Sequence, residues 1–176
     1  KLGLDVSFPP IAASGSNGSM PHYEPKNVRL KKGFCVIDFG IKYKSYCTDC
    51  TRTIYIGKPN NKESEIYNLL LKTQKNIIKN IGINGSCGKI YENCVKNLGK
   101  YSKYFIHGLG HGVGVEIHEL PNLTLDSKDK VMENMVFTVE PGIYLPRKFG
   151  IRIEDTVLMK KKTEILTKVP KGLLII

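Results

Sequence analysis

The stretch FCVIDFGIKYKSYCTDCTRTIYIG, residues 34–57, is dense in β-branched and aromatic residues. Such residues favour strands, so the pattern predicts two strands, at about 34–41 and 44–56, that form a hairpin. Each arm also carries an acid in an apolar setting, Asp38 on the first and Asp49 on the second. A buried carboxylate without a partner is very costly, so each acid needs a proton, a cation or a metal ion.

The elements around this hairpin indicate the fold class. Residues 1–33 are rich in Pro, Gly, Ser and Asn and are predicted to be an irregular connection. Helical spacing of apolar residues predicts one helix over 61–81 and a second over 86–101, with Ser86 as its N-cap. Further strands are predicted at 103–107, 113–118, 135–144, 151–159 and 163–167. This order predicts an α+β fold, with helices packed on a curved antiparallel sheet.

Composition limits the class of protein. The chain has 176 residues, a natural size for one domain over residues 1–176. It has 27 basic and 16 acidic residues, but the lysines are scattered, which favours a solvated surface over nucleic-acid binding. No apolar run approaches membrane-spanning length and no secretory signal opens the chain, so a membrane protein is not expected. Because the first residue is Lys1, we expect a fragment or a processed piece.

The cysteines favour a reducing compartment. Five cysteines are present, an odd number in a chain that is not small, which argues against a disulfide framework. Cys47 and Cys50 form a C-x-x-C pattern, but on one continuous strand their side chains would point to opposite faces and could not chelate one ion. We therefore expect reduced thiols and a cytoplasmic location.

The stretch HGLGHGVGVEIHELP, residues 107–121, holds three of the four histidines. His107 and His111 have the spacing of a zinc-binding helix, but the flanking glycines exclude a helix. A dinucleotide-binding loop is also excluded, because Val113 stands where the third glycine is needed. The glycines instead predict an extended segment that allows a close approach to its backbone.

Two more acids complete a candidate cation site. Glu140 lies in MVFTVEPG and Glu154 in GIRIEDTV, both inside predicted strands. Any one of the four acids could be a paired structural carboxylate, but four of them beside a histidine cluster favour a shared cation. Oxygen donors with one imidazole suit Mn, Co, Fe(II) or Zn, and two ions about 3.5–4 Å apart would use all the donors. Such a pair of ions, bridged by a hydroxide, indicates hydrolysis.

From ASGSNGSMPHY to LTKVPKGLLII, the chain resembles the pita-bread metallopeptidases, the family of Xaa-Pro dipeptidase (prolidase), aminopeptidase P and methionine aminopeptidase. The resemblance rests on five metal ligands in the family's order: Asp38, Asp49, His111, Glu140 and Glu154. It implies a pita-bread fold and two divalent ions. Asp49 and Glu154 would bridge both ions, Asp38 would complete one, and His111 with Glu140 the other.

The resemblance also implies roles for residues around the ions. Glu140 would shuttle the proton of the attacking hydroxide, and His118 would steady the scissile carbonyl and the tetrahedral intermediate. The implied catalytic residues are Glu140, His118 and His107. The implied substrate-binding residues are His22, His107, His118, Tyr144 and Arg152, with Arg152 orienting either Glu154 or the pocket. A purely structural role remains the alternative for His22, His107, Tyr144 and Arg152.

GIRIEDTVLM and TVEPGIY resemble the proline-specific branch of the family. The implied substrate is a short peptide whose second residue is proline, with an Xaa-Pro dipeptide favoured over the longer peptides of aminopeptidase P. Prolidases tend to bind the dipeptide carboxylate with an arginine between the equivalents of His118 and Glu140. This chain offers only Lys128 and Lys130 in that interval.

Further expectations concern the missing parts and two rival functions. Family members normally carry a helix pair, and often a whole domain, before the segment that starts here. The chain is therefore expected to be a catalytic domain that lacks that N-terminal helix pair, and the full-length protein a homodimer. A non-catalytic relative that binds protein or RNA is one rival, and a metal-free creatinase-like enzyme is another. The intact set of ligands argues against both.

Overall fold

The computed structural model describes residues 4–176, which form short strands, two α-helices and two 3₁₀ turns. The strands are β1 (Asp5–Val6), β2 (Ile11–Ser14), β3 (Gly33–Phe39), β4 (Ile41–Tyr43), β5 (Tyr46–Cys47), β6 (Cys50–Ile56), β7 (His111–Gly112), β8 (Glu119–Asn122), β9 (Val136–Val139), β10 (Gly142–Leu145), β11 (Phe149–Arg152), β12 (Asp155–Met159) and β13 (Thr163–Ile165). The helices are α1 (Asn61–Asn80) and α2 (Cys87–Leu98), and the turns are Gly15–Ser19 and Gly99–Tyr104. The pairings between these strands are antiparallel, as predicted for an α+β fold.

The predicted hairpin is confirmed, although its arms are not continuous. β3 and β6 pair along their whole length, and β2 covers the other edge of β3. The chain leaves this sheet at Gly40, and β4 and β5 join β1 in a separate sheet. A Cβ on Gly40 would lie 1.9 Å from the carbonyl oxygen of Thr48, so the crossing requires glycine. The interruption leaves Asp49 immediately before β6.

The prediction that residues 1–33 are irregular was wrong for the two-residue β1 and for β2. Strand β2 has only four residues, and just two of them are buried. So short a segment shows no alternation that would stand out among the surrounding Pro, Gly and Ser residues. Its position next to β3 is decided by tertiary pairing rather than by local sequence.

Two predicted strands are each divided at an acid. Glu140 and Pro141 separate β9 from β10, and Ile153 with Glu154 separates β11 from β12. Pro141 has no N–H to donate to a ladder, which limits the continuation of β9. β9 and β12 belong to a five-stranded sheet in the order β13–β12–β9–β7–β8, whereas β10 and β11 form a hairpin of their own.

The predicted strands at 103–107 and 113–118 were wrong. The 3₁₀ turn Gly99–Tyr104 takes the first two residues of 103–107, the rest of that segment is irregular, and bends occupy most of 113–118. The glycine-rich segment 107–114 forms strand pairing only at the two residues of β7. Next to β7, its backbone packs directly against the backbone of Thr138. A Cβ on Gly110 would lie 2.0 Å from the carbonyl oxygen of Thr138.

Both predicted helices are confirmed. The side chain of Asn60 accepts a hydrogen bond from the Glu63 N–H at 2.9 Å, and the Glu63 carboxylate accepts one from Asn60 at 2.8 Å. This capping box fixes the start of α1. Ser86 caps α2 as predicted. The apolar faces of both helices join the buried core with residues of β9 and β12, and within residues 4–176 no helix is long and apolar enough to cross a membrane.

Replacing Gly110 with alanine should destabilise the protein by at least about 1–3 kcal/mol, because the added methyl group meets backbone that cannot rotate away. Gly82→Ala is the matched control, since a Cβ there has nothing within 4 Å. Urea unfolding of both variants measures the difference. Equal stability of the two variants would contradict the close approach.

Candidate metal centre

Three carboxylates from separate parts of the chain meet at one point. Asp38 lies near the end of β3, Asp49 just before β6, and Glu154 between β11 and β12. One oxygen of each lies within 4.8 Å of the others, and all three residues are buried. Thr51 connects the segments that carry Asp38 and Glu154. It faces Asp38 in the strand register, and its carbonyl oxygen accepts from the Glu154 N–H at 3.1 Å.

Two oxygens of this carboxylate cluster, Asp38 Oδ1 and Glu154 Oε1, are buried without a hydrogen-bond partner among residues 4–176. The second oxygen of each carboxylate is held firmly. Arg152 Nη2 donates to Asp38 Oδ2 at 2.6 Å, and the Thr51 hydroxyl donates to Glu154 Oε2 at 2.7 Å. Buried polar atoms are nearly always paired in native proteins, so the two free oxygens indicate a bound cation.

Electrostatics leads to the same conclusion. Burial raises the pKa of Asp49 to about 7, and the charges of Asp38 and Glu140 raise it as well. Burial also raises the pKa of Glu154 well above its ordinary value, again assisted by neighbouring carboxylates. Without a cation, these acids cannot all be ionised at neutral pH.

His111 brings an imidazole to the same point. Its Nε2 atom lies 3.5 Å from Asp49 Oδ2 and 3.3 Å from Glu140 Oε1. Its Nδ1 atom lies 3.0 Å from the carbonyl oxygen of Gly112, and a carbonyl can only accept, so Nδ1 carries a hydrogen. In the neutral ring, the Nε2 lone pair therefore faces two carboxylates. That arrangement is favourable only with a proton or a cation between them.

Thr138 orients both groups on this side of the site. Its hydroxyl donates to Glu140 Oε1 and accepts from the His111 N–H, each at 3.1 Å. The resulting donor set of four carboxylates and one imidazole suits divalent ions that accept oxygen and nitrogen ligands. It also exceeds the four ligands of a tetrahedral ion. The residues thus fit the divalent metal that the family resemblance implies.

Arg152 links the carboxylate cluster to the predicted substrate side. It is only 4% exposed, and it donates to Asp38, to the Thr51 hydroxyl at 3.1 Å and to the Tyr144 hydroxyl at 2.8 Å. The Tyr144 oxygen lies 2.9 Å from His107 Nε2. Because arginine only donates, Tyr144 accepts from Arg152 and can give its own hydrogen to His107. Arg152 therefore contacts Asp38 directly, and reaches Glu154 only through Thr51.

A cavity of about 520 Å³ opens over these groups. The structure brings nine of the ten predicted site residues to its wall: His22, Asp38, Asp49, His107, His111, His118, Glu140, Arg152 and Glu154. Tyr144 lies one layer behind, between His107 and Arg152. The His118 and His111 rings are 4.3 Å apart, and His118 and His22 are exposed.

Sequence reasoning missed the hydroxyls that orient the acids and part of the cavity wall. Thr51 and Thr138 are fully buried, although threonine in a strand gives no sign of which carboxylate it will meet. In β6, alternate residues are buried, and this pattern could have placed Thr51 on the same side as Thr53. Lining residues not predicted include Phe8, Pro9, Ile11, Tyr23, Glu24, Ile117, Asn122 and Thr124.

A second buried ion cluster supports Glu154 from behind. Asp155 is fully buried, pairs with Arg52 at 2.8 Å and with Lys171, and accepts from Gln74 Nε2 at 2.9 Å. Arg52 also donates to the carbonyl oxygen of Glu154. The ion pair thus fixes the backbone of a predicted ligand and ties it to the C-terminal segment.

The C-x-x-C pattern takes no part in this site. Cys47 ends β5 and Cys50 begins β6, so the premise of one continuous strand was wrong. All five cysteines are free thiols, and Cys47 Sγ donates to the carbonyl oxygen of Val115 at 3.5 Å. The carboxylate cluster of Asp38, Asp49 and Glu154 contains no cysteine.

The fold and the arrangement of the site are those of the pita-bread metallopeptidase family. Residues 1–161 match the model of metallopeptidase family M24, and the chain belongs to this family.

Known relatives carry two kinds of name. The chain is 42% identical to an Xaa-Pro dipeptidase of Pyrococcus furiosus, over 96% of this chain and 49% of that protein. It is 40% identical to a putative Xaa-Pro aminopeptidase of Mycoplasma pneumoniae, over 97% of this chain and 50% of that protein. The crystal structure of a prolidase from Thermococcus sibiricus superposes with a TM-score of 0.94 at 38% identity, covering 98% of this chain and 48% of that one. The chain thus spans about half the length of these relatives.

Divalent ions should bind more weakly as the pH falls below about 7, because protons compete for the Asp49 carboxylate, whose pKa is raised to about 7. Calorimetric titration with Mn²⁺ at pH 6 and pH 8, in two buffers of different ionisation enthalpy, should show tighter binding at pH 8 and proton release at pH 6. Affinity that does not change with pH would contradict this expectation.

The ion-free protein should show the reverse trend in stability. A carboxyl whose pKa rises from 3.8 to about 7 on folding binds more protons in the folded state. Its contribution to stability is therefore fully present below about pH 4 and is lost as the pH rises through about 7. Urea unfolding without metal should show this loss, and Asp49→Asn should reduce it.

Thr51→Val should lower Mn²⁺ affinity by about 10- to 100-fold, because Glu154 Oε2 loses the hydroxyl that orients it. Thr73→Val is the matched control, since Thr73 is equally buried but lies in α1. Calorimetry measures the affinities and urea unfolding the stabilities. Unchanged affinity in Thr51→Val, or the same loss in both variants, would exclude this positioning role.

Proposed function

We propose that the protein is a metal-dependent exopeptidase that uses two divalent ions to hydrolyse the peptide bond before proline. The observation that carries the proposal is the convergence of Asp38, Asp49, Glu154, Glu140 and His111 beneath one cavity, with two buried carboxylate oxygens unpaired. The names of the relatives support the substrate class, since both refer to Xaa-Pro peptides. The substrate is either an Xaa-Pro dipeptide or a longer peptide with proline second.

In this proposal, the carboxylates of Asp38, Asp49, Glu140 and Glu154 and the imidazole of His111 would hold the two ions. The available donors suit Mn, Co, Fe or Zn. Bound ions of this kind lower the pKa of water to roughly 7 and polarise a carbonyl group.

Glu140 carries the proton in the proposed reaction. It accepts a proton as a water oxygen attacks the scissile carbonyl carbon, and returns it to the proline nitrogen as the C–N bond breaks. The returned proton is essential, because an unprotonated amine nitrogen is a poor leaving group. The Thr138 hydroxyl orients Glu140 for this exchange, at 3.1 Å.

The histidines act on the substrate. His118 lies exposed beside His111, where its imidazole can donate to the carbonyl oxygen as negative charge develops there. His107 is held by the hydroxyl of Tyr144, which Arg152 holds in turn, and it lines the cavity with His22. Both are placed to orient the peptide.

The five predicted ligands all line one cavity, which argues against a non-catalytic or creatinase-like relative. The homodimer, the single domain over residues 1–176 and the cytoplasmic location stay predictions.

Elemental analysis of protein purified with Mn²⁺ should find about two ions per chain, and Asp49→Ala should clearly reduce that number. Glu140→Gln should lower kcat on an Xaa-Pro peptide by about 10²- to 10⁴-fold, because the amide cannot carry the proton. Glu133→Gln is the control, as Glu133 is exposed and does not line the cavity. A folded protein that binds no metal under saturating Mn²⁺ would exclude the proposed function.

A further inference from the structure

The cavity over the candidate metal centre is rich in acids and poor in free cations. Its wall carries the four predicted acidic ligands and also Glu24, which is exposed. Among residues 4–176, the single lysine or arginine on the wall is Arg152. Among these wall residues, a negative group on a substrate meets several carboxylates, one arginine and the imidazoles of four histidines, apart from the bound ions.

Arg152 is not available to a substrate. Its guanidinium donates to Asp38, Thr51 and Tyr144, and to the carbonyl oxygen of Pro21 at 3.2 Å. With 4% of its surface exposed, it cannot turn towards a ligand without breaking these bonds. Its charge is already matched by Asp38.

The two lysines between His118 and Glu140 do not supply the free cation that Arg152 cannot supply. Lys128 and Lys130 are exposed, and neither lines the cavity. The backbone around them is fixed elsewhere, because the Cys87 N–H donates to the Asp129 carbonyl at 3.0 Å and the Val131 N–H donates to Gly85 at 2.9 Å. This segment packs against the start of α2.

Asn122 lies on the cavity wall opposite the predicted metal ligand His111, on the neighbouring strand. The two residues are direct partners in the β7–β8 pairing, and directly opposed residues of an antiparallel pair project from the same face. The Asn122 N–H donates to Asp129 Oδ2 at 2.8 Å, which fixes this end of β8. Its side chain is neutral, so it can form hydrogen bonds with a substrate but cannot balance a charge.

We propose that this cavity selects peptides that continue beyond the proline over dipeptides that end there, and that Asn122 determines this preference. The inference rests on the proposed function. In a dipeptide the carboxylate lies only two bonds from the proline nitrogen, so it enters the cavity together with the scissile bond. Placing a charge there without a counter-ion is unfavourable. A longer peptide presents a neutral amide at the same point, and Asn122 can pair with it.

Three substrates separate charge from length. The Mn²⁺-loaded protein should be assayed with Ala-Pro, with Ala-Pro-amide and with Ala-Pro-Ala. The amide matches the dipeptide in size and differs in charge, so we expect a kcat/KM at least about tenfold higher for the amide and the tripeptide than for Ala-Pro.

Variants at position 122 test the residue. Asn122→Arg should raise kcat/KM for Ala-Pro by about tenfold or more, mainly through a lower KM, and added NaCl should weaken this gain. Asn122→Lys is a second cationic variant in case the arginine does not fit. Asn122→Gln keeps the side chain neutral and should retain the preference for the amide.

Each outcome bears on a different claim. Hydrolysis of Ala-Pro at least as fast as Ala-Pro-amide by the parent protein would overturn the inference while leaving the proposed function intact. If the folded Asn122→Arg and Asn122→Lys variants still prefer the amide as the parent does, Asn122 does not determine the preference. No hydrolysis of any of the three peptides by metal-loaded protein would instead overturn the proposed function.

Discussion

The structure depends on the electrostatic repulsion between four largely buried carboxylates, which the protein's own cations only partly offset. Four carboxylates, those of Asp38, Asp49, Glu140 and Glu154, face one small volume in which burial has removed most of the screening by water. One arginine and one histidine partly offset their charge, yet two buried oxygens still lack partners in the described residues. Folding such a cluster is unfavourable unless a cation joins it, so stability and metal binding are linked in this protein.

The fold accommodates the cluster by interrupting its strands where the acids lie. Asp49, Glu140 and Glu154 all stand at breaks between strands, where the backbone can turn a side chain inward without keeping a ladder. Asp38 alone lies within a strand, and it is also the acid that Arg152 neutralises directly. The Thr51 hydroxyl takes one oxygen of Glu154 and leaves the other without a partner, whereas the Glu140 oxygen that accepts from the Thr138 hydroxyl is also the one that faces His111.

The sequence was most informative where the type of a residue by itself indicates its role. Acids in apolar strands predicted the cation site, and helical periodicity with capping residues predicted α1 and α2. It was least informative for strand continuity, since β-branched residues run through the breaks at Glu140 and Glu154. For the glycine-rich segment, the predicted close approach to its backbone is confirmed at Gly110, but no local pattern identifies the partner, Thr138, and the strands predicted on either side of it were wrong. The hydroxyls of Thr51 and Thr138 could not be assigned either, because their partners lie far away in sequence or across a turn.

The same electrostatic arrangement that holds the metal ligands also limits what the cavity can accept. Arg152 lies between the acidic centre and the substrate side. It is buried and its guanidinium donates to Asp38, so it is not free to bind a substrate. A basic residue free to bind a substrate carboxylate would have to come from another position on the wall, and the position beside His111 holds a neutral amide. A change in preference between a carboxylate and a neutral amide after proline therefore does not require a change in the metal ligands. In the proposed role of Asn122, a single wall residue on β8 alters substrate length preference, while the constraint that organises the rest of the fold stays the same.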